Sequence, residues 1–252
     1  MMRSSRCYAV SIHVGEALCV CPTTAEFELN MPSKARVALD QNLKDVERLL
    51  KLHEEKGGTG PGRRYGLEVL NKSAVVLITS FWEAYCEDIA EEGLECIVAH
   101  AKTADALPKQ IKKVIAKELI SDVNELAIWN ISDDKWRAVL RAHLNALQEA
   151  RNRKLNTPKY RNIDDLFESA IGLANVSSKW TLSPKTKAEQ ARAKLDKFVE
   201  LRGEIAHRGK AKTSIKKATV VDYLYFIKQV AAITGGAVNI HVKAIADGHG
   251  LF

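Results

Sequence analysis

The sequence is poor in the residues that build tight turns and disulfides. It contains six prolines and fourteen glycines among 252 residues, which is few for an architecture of many short strands and turns. Its five cysteines are an odd number without regular spacing, so they do not resemble the disulfide framework of a small secreted domain. We therefore expect reduced thiols and a cytoplasmic protein.

Long uncharged stretches are also missing. No such run reaches the roughly 20 residues that a membrane-spanning helix needs. At the N-terminus, Arg3 and Arg6 precede an apolar stretch, but His13 and Glu16 interrupt it. That pattern is a poor fit to a signal peptide, and we expect no membrane partner.

Motifs for metals and cofactors are absent as well. The sequence has no glycine-rich phosphate-binding loop of the nucleotide-binding families, and the glycines of residues 57–62 are interpreted as a linker because they follow a predicted helix. The sequence predicts neither a metal site nor a cofactor. Five histidines have no carboxylate or second histidine at metal-ligand spacing: His53, His100, His143, His241 and His249.

Helical periodicity is what the sequence does contain. Between residues 31 and 233, apolar residues recur at the spacing of amphipathic helices, which predicts an all-α domain. Residues 1–30 lack this periodicity and are interpreted as an N-terminal extension. The pattern fades again at Gly235, so we expect residues 234–252 to form a frayed C-terminal tail.

Positive charge is concentrated in two segments. Residues 179–217 hold twelve Lys and Arg against four Asp and Glu, and residues 135–161 hold eight against one. This distribution fits binding to a polyanion, or self-association between oppositely charged surfaces. Solvated helix faces are the simpler interpretation of the same pattern.

An arginine and a histidine stand five residues apart where an amphipathic helix is predicted to end. Arg202 is a permanent cation that suits phosphate, and His207 can exchange a proton near neutral pH. Pro184 is predicted to open this helix and Gly209 to end it. The pair fits metal-free chemistry on a phosphodiester.

An ideal helix separates these two side chains. Arg202 falls inside the buried stripe, and His207 lies about 140° around the helix from it. Either the helix loosens before Gly209, or two copies of the chain meet and share a cleft with two such pairs. In the simpler alternative, Arg202 pairs with Glu83 or Glu87, and His207 caps the helix end.

The segment resembles the R-x4-6-H motif of the HEPN superfamily, α-helical domains that include many metal-independent RNases. Residues 67–92 are similar to the long second helix of the RiboL-PSP-type branch, and the resemblance extends from about residue 31 to about residue 233. It implies a HEPN-like helical bundle with additional helices inserted between the second long helix and the motif helix. The similar segments there are Leu155-Asn156-Thr157-Pro158, Ile163-Asp164-Asp165-Leu166-Phe167, Gly172 and Trp180.

The resemblance implies an endoribonuclease that acts as a homodimer, with Arg202 and His207 as the catalytic pair. Attack of the ribose 2′-OH would leave a 2′,3′-cyclic phosphate, as in a toxin or defence effector controlled by a protein antitoxin or regulatory partner. The basic residues expected to hold the RNA backbone are Arg151, Arg153, Lys154, Arg208, Lys210 and Lys212.

The position after the motif arginine departs from the family pattern. Active HEPN RNases commonly have a polar residue there, whereas this chain has Gly203. Glu204, Glu83 and Glu87 are candidates for the missing polar group. The glycine leaves two alternatives open: a non-catalytic HEPN-like domain that binds RNA, a nucleotide or a protein partner, and a helical scaffold in which Arg202 forms a buried ion pair.

Overall fold

Helices make up almost all of the structure. The computed structural model describes residues 32–57, 66–154, 157–209 and 214–252, and only the backbone of residues 134 and 146–154. The predicted N-terminal extension and the linker after Gly57 lie outside these ranges. The helices within them are α1 (Lys34–Gly57), α2 (Glu68–His100), α3 (Lys109–Ile120), α4 (Trp136–Lys154), α5 (Tyr160–Ile171), α6 (Ala188–Arg208) and α7 (Lys217–Ile245).

The all-α prediction is confirmed. In the described ranges the only β-type pairing is an isolated bridge between Ser183 and Thr186. Three helices, α3 to α5, lie between the second long helix and the motif helix, as predicted for a HEPN-like bundle. None of the helices in these ranges has the length and apolar character that would let it cross a membrane.

The central helix of the bundle is α2. It is 33 residues long and packs against α1, α4, α5, α6 and α7. Buried side chains occur on most of its circumference, which is typical of a helix enclosed by others, and Trp82 is fully buried. Because α6 is one of its neighbours, α2 forms one wall of the candidate site.

The inserted helix α4 is attached to the C-terminal end of α2. Arg137 donates hydrogen bonds to the carbonyl oxygens of Val98 and Ala101 at 2.8 and 2.5 Å. On the other side of α4, His143 Nδ1 lies 2.9 Å from Glu118 Oε2 of α3. These contacts fix α3 and α4 to one end of the bundle.

The last helix is longer than the sequence pattern indicates. It continues to Ile245, with Thr234 and Val238 fully buried. Trp180 Nε1 donates to Thr234 Oγ1 at 2.9 Å, which ties the middle of α7 to the segment before α6. The predicted frayed tail at residues 234–252 is therefore wrong.

Gly235 explains this error. The apolar pattern fades at Gly235, and a glycine in a helix interior is destabilising, but here it has a packing role. In the structure, Tyr85 Oη donates to the Ala231 carbonyl at 2.8 Å, and a Cβ at position 235 would lie 2.8 Å from that hydroxyl oxygen. The glycine allows close packing of α7 on α2 and does not end the helix.

Candidate active site

The motif helix α6 ends at the predicted glycine. Gly209 adopts the left-handed conformation, with φ of 63°, and its N–H donates to the Ile205 carbonyl at 2.9 Å. The prediction for the start of the helix is wrong. Pro184 lies in the preceding turn, where the Thr186 N–H donates to the Ser183 carbonyl at 3.1 Å, and α6 begins after that turn.

The regular helix keeps Arg202 and His207 apart. Residues 188–208 are α-helical without a break at Gly203, so the predicted loosening of the helix before Gly209 is wrong. On a regular helix these two side chains leave the axis in directions about 140° apart. Within one chain, therefore, the two groups do not face the same point.

Arg202 is half-buried, and part of its guanidinium group has no partner. Its Nε atom is buried and makes no hydrogen bond. A buried polar group without a partner costs about 1–3 kcal/mol, so the fold holds this cation in an unsatisfied environment. Such an environment favours an incoming oxygen ligand, and phosphate oxygens match the donors of arginine.

Glu83 of α2 is the predicted carboxylate whose charge interacts with Arg202. It is half-buried, and burial raises its pKa, while the positive charge of Arg202 acts in the opposite direction. Arg202 acts on Glu83 through its charge, and no hydrogen bond to Arg202 contributes to the pKa of Glu83. The other two predicted supporting carboxylates, Glu87 and Glu204, each have an interaction partner.

Gly203 faces open space. A Cβ at this position would meet no atom within 4 Å, so packing within one chain does not require the glycine. On α2, Val76 and Ser80 precede Glu83 on the same helical face, and both are partly exposed. Because position 203 carries no side chain, the space beside the motif arginine is open.

The last turn of α6 is exposed to solvent. His207 and Arg208 are both exposed there, as expected for side chains that meet a ligand. The other predicted RNA-binding side chains lie outside the described residues, and their contact with RNA stays a prediction: Arg151, Arg153, Lys154, Lys210 and Lys212.

Three polar residues at the start of α2 contact the chain next to the motif helix, and the sequence analysis did not identify them. Asn71 Nδ2 donates to the Ile215 carbonyl at 2.8 Å, and Lys72 Nζ donates to the Gly209 carbonyl at 3.1 Å. The Ile215 N–H donates to Glu68 Oε1 at 3.3 Å. The available signal was Asn71 itself, an amide within the apolar pattern of the central helix.

No metal site or activated thiol accompanies the motif in the part of the chain that the structure describes. Within it, no group of three or more His, Cys, Asp or Glu side chains is arranged to hold a metal ion. Burial raises the pKa of both Cys86 and Cys96, which disfavours the reactive thiolate form.

Comparison with protein families gives a match that covers most of the chain. The family model described as RiboL-PSP-HEPN matches residues 39–239, a range that includes Glu83, Arg202 and His207. No curated protein and no solved structure matches the chain.

Proposed function

The chain belongs to the RiboL-PSP-HEPN family, and on that premise we propose that it is a metal-independent endoribonuclease acting as a homodimer. Family membership supports an RNA-related or nuclease role. The observation that carries the finer proposal is the buried, unpaired Nε of Arg202 on a helix whose exposed last turn contains His207.

Arg202 would bind the scissile phosphate. Charge develops on the phosphoryl oxygens as the ribose 2′-oxygen attacks phosphorus, and a preorganised cation stabilises that charge. An arginine already neutralised by a carboxylate would contribute less, which is why the missing ion pair to Glu83 supports this role. Glu83 would instead help to orient the guanidinium group through its charge.

His207 would move the protons. One imidazole accepts the proton of the 2′-OH as that oxygen bonds to phosphorus. The bond from phosphorus to the 5′-oxygen then breaks, and a protonated imidazole donates its proton to the leaving oxygen. The products are a 2′,3′-cyclic phosphate and a 5′-OH, and DNA is not cut because it lacks the attacking hydroxyl.

A second copy of the chain would complete the site. Arg202 and His207 of one chain point in directions about 140° apart on a regular helix, so joint action on one phosphate requires groups from two protomers. The open space at Gly203 and the partly exposed Val76 and Ser80 offer a surface that a second motif helix can approach. Such a dimer brings two arginines and two histidines into one cleft.

RNA cleavage by such a site would harm the cell that makes it. We therefore extend the proposal to a toxin or defence role in the cytoplasm, under the control of a neutralising or regulatory protein. The basic residues Arg208, Lys210 and Lys212 after the motif would hold the RNA backbone, and binding would weaken as the salt concentration rises.

The second candidate is a non-catalytic RNA-binding domain of the same family. The observation that favours it is Gly203, because the position next to the motif arginine offers no polar side chain and the space beside it is open. In that case Arg202 would still bind phosphate, but proton transfer would be too slow to measure.

The experiment that tests the proposal is cleavage of a defined RNA in the presence of EDTA. A matched RNA carries a single 2′-deoxy nucleotide at the preferred site. We expect cleavage of the first RNA, a cyclic phosphate end detected by mass spectrometry, and no cleavage at the deoxy position. Binding without cleavage would support the second candidate, and strict dependence on a divalent metal would contradict the mechanism.

A further inference from the structure

The start of α2 contacts both sides of the segment that follows the motif helix. Lys72 donates to the carbonyl of Gly209, the residue that ends α6, and Asn71 donates to the carbonyl of Ile215. Glu68 accepts a hydrogen bond from the Ile215 N–H and lies 3.9 Å from the Lys72 ammonium group. We call Glu68, Asn71 and Lys72 the polar clamp.

The two donors of the polar clamp differ in their exposure to solvent. Asn71 is 4% exposed, and the side chain of Lys72 is 23% exposed. Burying an amide and most of a lysine is unfavourable unless their donors are used. Each donates to a backbone carbonyl: the hydrogen bond of Asn71 is buried, and the hydrogen bond of Lys72 lies at the surface.

Lys72 of the polar clamp contacts the C-terminal end of α6. The last carbonyls of an α-helix have no partner within the helix, and a cation at the C-terminus interacts favourably with the helix dipole. In the last turn of α6, Ile205 is buried, whereas His207 and Arg208 are exposed. Among the hydrogen bonds of the described residues, the one from Lys72 joins the Gly209 carbonyl, directly after α6, to another helix.

We propose that Lys72 is a positioning residue for His207. Its ammonium group fixes the Gly209 carbonyl, which keeps the last turn of α6 from fraying and holds the imidazole at a constant place relative to Arg202. Lys72 does not contact the RNA. This inference rests on the proposed endoribonuclease activity for its kinetic consequence, whereas its structural consequence is independent of that activity.

The kinetic test compares Lys72→Met, Lys72→Arg and the control Lys51→Met. Lys51 is an exposed lysine of α1 whose side chain is 76% exposed. Because small displacements of a catalytic group lower the rate steeply, we expect Lys72→Met to lower kcat about tenfold with KM within about twofold. Lys72→Arg keeps a cation that can reach the carbonyl and restores most of kcat, and the control leaves both constants unchanged.

Three kinetic outcomes would overturn the proposal. If KM rises while kcat is unchanged, Lys72 binds RNA directly. If Lys72→Met has no effect, the contact does not position the histidine. If Lys72→Arg is as impaired as Lys72→Met, a cation at this place is not what matters.

The structural test uses hydrogen–deuterium exchange of the backbone amides of residues 205–209. We expect faster exchange in Lys72→Met than in the wild type, and wild-type exchange in Lys72→Arg and in Lys51→Met. Equal exchange in all four proteins overturns the proposal even if RNA is cut.

If the wild type cuts no RNA, the proposed function fails, but exchange still decides whether the clamp holds the helix end. Should Lys72→Met not fold, Lys72→Leu, which also lacks a donor, takes its place in both tests.

Discussion

Two helices of this protein each carry an arginine and, a turn and a half later, a histidine. In α4, Arg137 donates to two backbone carbonyls and lies over the ring of Trp136. His143 is buried and contacts Glu118. In α6, Arg202 has a buried Nε without a partner, and His207 is exposed.

The difference shows how to distinguish an arginine and histidine that stabilise the fold from a pair whose groups can bind a ligand. The α4 pair uses its hydrogen-bonding groups on the protein itself, so it stabilises the attachment of α4 and has little left to offer a ligand. In the α6 pair, Arg202 Nε is buried without a hydrogen bond, which is unfavourable for folding alone, and the proposed RNA ligand would give the guanidinium group a partner.

A third arginine and histidine at this spacing occur in α1. Arg48 is exposed and pairs with Asp45 at 2.8 Å, whereas His53 is 7% exposed. All three pairs lie inside residues 39–239, which the family model matches. The match alone therefore does not choose among them. Both His53 Nδ1 and Arg202 Nε are buried without a hydrogen bond, but the arginine of the α1 pair is exposed and ion-paired, whereas in α6 the unpaired atom belongs to the arginine and the histidine is exposed.

The largest expected contrast is between the two histidines of α4 and α6. His207→Ala should lower RNA cleavage about 100- to 10,000-fold, as loss of a general acid–base does, and should leave the thermal midpoint almost unchanged. His143→Ala should retain the activity of the folded protein and lower its thermal midpoint. Cleavage assays and thermal melts of both variants measure this, and similar activity in the two would break the comparison.

Loss of Arg202 is expected to affect mainly activity, and loss of Arg137 mainly stability. Arg202→Ala should reduce kcat about 100- to 1,000-fold through loss of charge stabilisation, and it should keep or raise the stability because it removes a buried polar atom without a partner. Arg137→Ala leaves two carbonyls without donors and should lower the free energy of unfolding by about 1–3 kcal/mol. Urea denaturation followed by circular dichroism measures the second effect. A large stability loss in Arg202→Ala would indicate the scaffold alternative.

Replacement of glycine by alanine should have opposite effects on stability at two positions that differ in packing. Gly203→Ala removes a helix-interior glycine whose Cβ position is open, so the free energy of unfolding should rise by about 1 kcal/mol. Gly235→Ala forces a Cβ against the Tyr85 hydroxyl and should cost about 1–3 kcal/mol. Thermal melts measure both changes. If Gly203→Ala also weakens self-association in sedimentation experiments, a second motif helix packs on that position.

The smallest expected effect is on the pH dependence of stability. Because burial raises the pKa of Glu83, the folded chain binds this proton more tightly than the unfolded chain does. The stability that Glu83 contributes is complete below 4.5, the ordinary value, and is lost as the pH rises through the raised pKa. Glu83→Gln should remove this loss, whereas the same change at exposed Glu125 should not. Urea midpoints between pH 4 and 7 provide the measurement, and identical slopes for Glu83→Gln and the wild type would contradict it.

The order of the helices and the place of the motif could be predicted from the sequence because both depend on local patterns. Apolar periodicity identified α2, and a glycine with positive φ ended α6 at Gly209. These features need only a few neighbouring residues to be interpreted, and they are the ones that the structure confirms.

Contacts between residues that lie far apart in the chain could not be predicted from the sequence. Lys72 and Gly209 are 137 positions apart in the sequence, and Asn71 and Ile215 are 144 apart. No local sequence pattern therefore predicts these contacts. The same reason explains the error at Gly235, where a local rule predicted a helix end. That glycine is accommodated because Tyr85 of another helix occupies the space of its missing side chain.

The open position in the motif helix also has an evolutionary consequence. Many glycine codons become serine or aspartate codons through a single nucleotide change, and either side chain fits at Gly203 because its Cβ direction is unobstructed. Under the proposed endoribonuclease mechanism, such a change would place a polar group beside Arg202 without rebuilding the core. Selection could thus change the proposed activity at this one position while the helical bundle stays the same.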